Sequence, residues 1–397
     1  MSEPLLRGLR VVDLSFWLPG PFCSQILADL GAEVIKVERR LMGDPMRLIE
    51  PAVDGTGIRF LLLNRHKKSL AVNLKQPHGR DIVRRLAATA DVFLEGSAPG
   101  QVARLGLGYA DLSADNPRLI YCSLSGFGQG GPLVARAGHD ITYAALGGLL
   151  DLLPPDGPPI LPGLPLADLS GALFATVGIL AALVRRGIGD RGAYVDVSML
   201  DSAVSLLNAS AAAPLLGAAA DQTVKYLAGY LPCYNLYRTR DGRWMALGAI
   251  EPVFWAAFCR AVGRPDLIPH QIPAAGERQA VIDELAALFA RRTQAEWVDF
   301  FATQELCCEP VLSVGEALAG PQLHARGMVF YLDHPAAGRL PQLRLPIHLA
   351  AEEGAASPPS PAPRLGQHTA EILLELGYPP GEIAELRRRR VVATADD

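Results

Sequence analysis

Four side chains in this sequence stand where proton or acyl chemistry could be done. His139 and Asp140 sit together in Ala137-Gly138-His139-Asp140-Ile141, just after a glycine-rich loop. Asp168 lies in Pro165-Leu166-Ala167-Asp168-Leu169-Ser170-Gly171, immediately ahead of an apolar, Ala-rich stretch. Glu251 lies in Leu247-Gly248-Ala249-Ile250-Glu251-Pro252, where a strand-like run gives way to a helical one. An imidazole and a carboxylate can exchange a proton near neutral pH. A carboxylate can also attack an acyl carbon as a nucleophile. Each residue also has a plainer reading. Asp168 could cap a helix, His139 could be a core histidine bonded to a carbonyl, and Glu251 could stabilise a helix N-terminus. The residues are far apart in sequence, so spacing leaves their proximity open.

Two further segments could hold a ligand. Asn64-Arg65-His66-Lys67-Lys68-Ser69 is a basic cluster at a strand entrance, and Arg65, Lys67 and Lys68 could pair with a phosphate. Gly126-Phe127-Gly128-Gln129-Gly130-Gly131-Pro132 lets the backbone approach an oxygen-rich ligand closely, Gly126 and Gly128 above all. It does not open a helix as a dinucleotide fingerprint must, and a plain flexible loop is the alternative. Arg387-Arg388-Arg389-Arg390 reads as a solvated helix end.

The elements that must position these residues follow from short apolar runs. Arg10–Leu14, Glu33–Val37, Ser69–Leu74, Asp91–Leu94 and Leu119–Ser123 read as strands, with helices over Pro21–Leu30 and Gly79–Ala90. Such alternation implies a mostly parallel sheet covered on both faces, with ligands beyond the carboxyl ends of its strands. Ser170–Val184 and Ser198–Ala218 read as helices, Trp244–Gly248 as a strand, Pro252–Val262 as a helix, and Gly354–Pro363 as a linker.

Composition narrows the function classes. The chain has 397 residues, 41 acidic and 37 basic, for a net charge of −4. That balance argues against nucleic acid as a partner. The apolar run Gly171–Val184 is shorter than the ~20 residues a membrane span needs, so a buried helix and no membrane partner are expected. Met1–Gly8 lacks a secretory apolar region. The six cysteines show no C-x-x-C spacing, so no metal is expected and a reducing, cytoplasmic setting is.

Taken in order, these segments resemble the family III CoA-transferases of the CaiB/BaiF type, which include the α-methylacyl-CoA racemases. The matching segments are Leu6–Ser15, Leu27–Glu38, Gly43-Asp44, Asn64–Ser69, Arg104–Gly108, Asn116–Tyr121, the glycine loop and Leu365–Thr369. The resemblance implies an α/β fold with a large Rossmann-like domain built from both chain ends (1–220 plus 340–397). It also implies a small α/β domain (221–339) and an interlocked, ring-like homodimer. It further implies a coenzyme A thioester as substrate, with no permanently bound cofactor. Val37, Glu38, Arg65, Lys67, Lys68, Gly126 and Gly128 would then hold CoA. One departure is visible: Ser97-Ala98 precedes Pro99-Gly100 where the family often has an aromatic–Arg or aromatic–His pair, so a cationic contact is missing there.

The resemblance assigns Asp168 the catalytic carboxylate of both branches. In transferases it attacks the thioester, giving a mixed anhydride and then an enzyme–CoA thioester. In racemases it exchanges the α-proton on one face while a His serves the other. Racemases carry Gly-His-Asp where this chain has Gly138-His139-Asp140, and a Glu supporting the His where it has Glu251. The reading is therefore a racemase or epimerase of a 2-methyl-branched acyl-CoA in lipid metabolism, with catalytic residues His139, Asp168 and Glu251. A CoA-transferase is the alternative. Backbone N–H groups beside Asp168 are expected to form part of the oxyanion site, and Asp140 to be structural.

Overall fold

The computed structural model describes residues 4–152, 158–217, 226–335, 338–348 and 360–397. It divides into two compact units. The larger comprises Met1–Gly147, Gly163–Leu206 and Ala325–Asp397, the smaller Gly148–Pro162 and Leu207–His324. The expected small domain began at 221 and ended at 339. The smaller unit instead starts earlier, stops earlier and takes in a piece ahead of Asp168.

The larger unit is built on seven strands: β1 (Arg10–Leu14), β2 (Glu33–Arg39), β3 (Lys67–Val72), β4 (Val92–Glu95), β5 (Ile120–Ser125), β6 (Ala193–Ser198) and β7 (Val392–Ala393). Their spatial order is β7-β3-β2-β1-β4-β5-β6. All pairs are parallel except β7 with β3, which is antiparallel. The parallel part runs 3-2-1-4-5-6, the doubly wound order whose direction reverses between β1 and β4. Alternation within the strands sends side chains to two cores. Val12, Leu14, Val37, Leu70, Phe93 and Tyr121 face one side, where the helix Pro77–Ala88 and the C-terminal helices cover them. Val11, Val34, Leu94, Ile120 and Leu124 face the other, under α1 (Pro19–Asp29) and α3 (Leu166–Gly189). Between the last two come α2 (Asp140–Leu146) and, after β6, α4 (Met199–Ser205).

Two expectations change. α3 is longer than the apolar run suggested, and by length and composition it could cross a membrane. Nor is it a buried helix: Ala172, Ala175 and Ile179 pack on the sheet, while Leu173, Phe174 and Val177 are about half exposed. The single helix expected over Ser198–Ala218 stops at Ser205, and the linker expected over 354–363 lies, up to residue 359, outside the described residues.

The smaller unit has a three-stranded antiparallel sheet of Cys308–Pro310, Trp244–Gly248 and Tyr234–Arg238. Its core is aromatic: Tyr237, Phe258, Phe289 and Trp297 stack within ring-centroid distances of 4.9–5.9 Å.

Candidate active site

The first turn of α3 has no capping side chain of its own, because Pro165 occupies the N-cap. The cap comes from α2. Asp140 accepts through one oxygen, Oδ1, from Ala167 N at 2.7 Å and Asp168 N at 3.0 Å. Asp140 is thus structural, and the two amides expected to serve an oxyanion are already spent on it. α2 is itself started by a reciprocal pair, His139 N donating to Thr142 Oγ1 and Thr142 Oγ1 donating to His139 O. This fixes the His139 backbone at the helix mouth and leaves its imidazole exposed.

Asp168 is half-buried, and its pKa is raised from 3.8 to about 6. Burial is the main cause, the charge of Asp140 the second, and the His139 imidazole works in the opposite direction. The structure therefore brings His139, Asp140 and Asp168 into one electrostatic group. Tyr143 belongs to it as well, though sequence reading passed over it. Its hydroxyl is held neutral by burial and by the charges of Asp168 and Asp140, and no described residue hydrogen-bonds to it. The signal for Tyr143 lay in the glycines. A β-carbon on Gly126 would stand 2.7 and 2.8 Å from two Tyr143 ring carbons, and one on Gly138 would stand 2.5 Å from the same ring. Gly128 is needed for another reason, its φ of +79°. Asp196 pins the same loop by accepting from Gln129 N at 3.1 Å.

Glu251 lies in the smaller unit, at the N-cap of the helix Pro252–Ala261. It is exposed, and its side chain makes no hydrogen bond or ion pair among the described residues.

A second feature opens at the carboxyl ends of β1, β2 and β3, beside the reversal point. It is a cavity of about 650 Å³, with Leu14, Val37 and Val72 among its apolar walls and Ser97 on its rim. Val37 and Glu38 both line it, as expected. The Glu38 carboxylate is nevertheless turned into the protein: it takes two hydrogen bonds of 2.8 Å from Arg47 and one of 2.6 Å from Ser69 Oγ. Those donors hold it well below the usual carboxylate range. Under the cavity floor Lys36 pairs with Asp44 at 2.9 Å and donates to Ser15 O.

Arg65, Lys67 and Lys68 do not line this cavity. Arg65 forks onto Asp29 and donates to Gln342 Oε1. Lys67 is fully buried. It donates to Pro21 O, Ser24 Oγ and Asn64 Oδ1, and burial brings its pKa down to about 7. Lys68 pairs with Glu33 and Glu371 at 2.8 and 2.7 Å. Each ammonium or guanidinium of the cluster thus has a partner within the protein. The cations that do line the cavity are Arg39, Arg40, Lys75, Arg389 and Arg390. The last two come from the run read as a solvated helix end, and none of the five has an ion-pair partner among the described residues.

The cavity sits over β1–β3, and the Asp168 end of α3 sits at the carboxyl ends of β5 and β6, where Gly171 meets Leu124 and Met199. Three to four strand spacings separate them, roughly 15–20 Å. A ligand reaching both must be long, anionic at one end and reactive at the other. Comparison with known proteins agrees with that shape. A family model described as CoA-transferase family III matches residues 6–369. The chain is 37% identical to the succinyl-CoA:glutarate CoA-transferase of Mus musculus, over 96% of this chain and 88% of that one. It is 38% identical to the alpha-methylacyl-CoA racemase of Mus musculus, over 98% and 97%. The crystal structure of a CAIB/BAIF family protein from Brucella suis superposes with a TM-score of 0.81 at 31% identity, covering 94% of this chain and 100% of that one.

Proposed function

The chain belongs to CoA-transferase family III, and from that premise we propose that it is a racemase or epimerase of α-branched acyl-CoA thioesters. The observation that carries this reading is the placing of His139 and Asp168 in one electrostatic group, with the Asp168 pKa near 6. Inversion of a carbon centre needs two proton carriers on opposite faces, one entering charged and the other protonated. Asp168 takes the α-proton as carboxylate, an enolate forms, and the His139 imidazolium returns a proton to the other face. The reverse direction exchanges the roles. Since Ala167 N and Asp168 N are bound to Asp140, the donor to the enolate oxygen in this scheme is the neutral Tyr143 hydroxyl. The nucleotide end of CoA occupies the cavity over β1–β3. Two chains associate as a homodimer, a reading supported by the exposed Leu173, Phe174 and Val177 on α3.

The test is α-proton exchange. The protein is incubated in D₂O with a 2-methylacyl-CoA and no acceptor acid, and deuterium at Cα is followed by mass spectrometry. Exchange that His139→Ala abolishes is the expected result. Absence of exchange across several acyl-CoAs sinks the racemase reading.

One observation favours a second reading, CoA transfer between carboxylic acids: the similarity to the succinyl-CoA:glutarate CoA-transferase is as high as that to the racemase. Here Asp168 attacks the thioester carbonyl, expels CoA as thiolate and forms a mixed anhydride. The thiolate then attacks the aspartyl carbonyl and expels the donor carboxylate; the acceptor carboxylate attacks the resulting thioester, and the thiolate it releases takes the acceptor's acyl carbon and frees Asp168. Trapping of the aspartyl–CoA thioester by hydroxylamine would favour this reading over exchange.

A further inference from the structure

The arginine run divides. Arg387 pairs with Asp397 at 2.9 Å and Arg388 pairs with Glu385, while Arg389 and Arg390 line the cavity. Arg390 is held in the left-handed region at φ +57°. It follows Arg389, the C-cap of the helix Pro380–Arg388, and a helix that ends this way ordinarily has glycine there, because a β-carbon is strained in that conformation. The strained backbone is fixed from several sides. Gln76 Nε2 donates to Arg389 O and Arg390 O at 3.3 and 3.2 Å, and Asn73 N donates to Val391 O at 2.8 Å. Beyond it, Val391 is fully buried and β7 pairs with β3. A strained residue so firmly placed has its side chain delivered to one spot.

That spot has a chemical character. Of the residues lining the cavity only Glu38 is acidic, and its carboxylate is bound to Arg47. Arg389 and Arg390 precede β7, the edge of the sheet opposite β6. They therefore face the end of the ligand farthest from Asp168. In a CoA thioester that end is the ribose 3′-phosphate, a dianion that favours more than one cation.

We propose that Arg390, seconded by Arg389, is a specificity residue for the 3′-phosphate of CoA, delivered to the cavity by its left-handed backbone conformation. This rests on the CoA reading above. Binding of CoA and of 3′-dephospho-CoA is measured by calorimetry for the wild type, Arg390→Gly and Arg389→Gln/Arg390→Gly, with thermal melts of each. The wild type is expected to bind CoA at least tenfold more tightly than dephospho-CoA. Arg390→Gly is expected to melt no lower than the wild type, since glycine relieves the strain, and to lose about tenfold in CoA affinity with dephospho-CoA little changed. The double variant brings the two ligands level. A wild type that binds both equally, or an Arg390→Gly that keeps the full preference, overturns the proposal and leaves the CoA reading standing. A wild type that binds neither overturns both.

Discussion

At the scale of single residues, the protonation of Asp168 governs the proposed chemistry. Proton abstraction by Asp168 and its attack on a thioester both need the carboxylate ionised, so activity in those directions should fall as pH drops through about 6. The same shift has a sign for stability. The folded-state pKa lies above the unfolded 3.8, so the stabilisation is present below pH ~4 and is lost as pH rises through about 6. Asp168→Asn should therefore abolish turnover. It should also stabilise the fold at pH 7.5 by an amount on the order of 1 kcal/mol, discounted for partial exposure, and a melt that drops instead would contradict the assigned shift. Tyr143→Phe should lower kcat by about 10- to 100-fold with little change in KM, if its hydroxyl meets the transition state. Steady-state kinetics on a purified variant decide that.

Between residues and fold lie the elements, and here the α2–α3 junction is the sensitive point. Asp140→Ala removes the side-chain cap seen on α3 among the described residues and leaves two amides unmet, a cost of about 1–2 kcal/mol by denaturant titration. Asp140→Asn keeps an acceptor but removes a charge that raises the Asp168 pKa, so the acid limb of the pH–rate profile should move below 6. Gly126→Ala drives a β-carbon into Tyr143 and should cost about 1–3 kcal/mol. Much of this level was legible in the sequence. The runs Arg10–Leu14 and Trp244–Gly248 are strands with the expected bounds, because a short apolar run between turn signals allows few alternatives. Asp140, read as structural, does bond the backbone. Other features required coordinates. Lys67 and Lys68 look alike in sequence, and only the packing shows one buried against Ser24 and the other paired with Glu371. The spent amides of Ala167 and Asp168 were equally hidden, since a cap donated by another helix leaves no local signature.

At the scale of the whole molecule, the sheet order does what no single motif could. The 3-2-1-4-5-6 arrangement places the cation-lined cavity and Asp168 at carboxyl ends several strands apart, a separation that under the proposed function suits a long ligand. The alternating pattern predicted the parallel sheet but not its order, because strand order depends on contacts between distant segments. The exposed face of α3 belongs to this scale as well. Sedimentation equilibrium is expected to show a dimer, and Val177→Asp to shift it toward monomer.

The antiparallel strand β7 has a consequence for how the protein is made. Gln76 and Arg390 lie 314 positions apart, yet one side-chain amide joins them. A ribosome delivers β1, β2 and β3 long before it delivers the segment that completes their edge. Until then β3 keeps unmatched backbone groups on its outer side, and the cavity lacks two of its cations. Completion of the cavity therefore waits on a segment 314 positions beyond Gln76. A polypeptide cut short ahead of residue 387 would carry Asp168 and His139 and lack the arginine pair that lines the cavity.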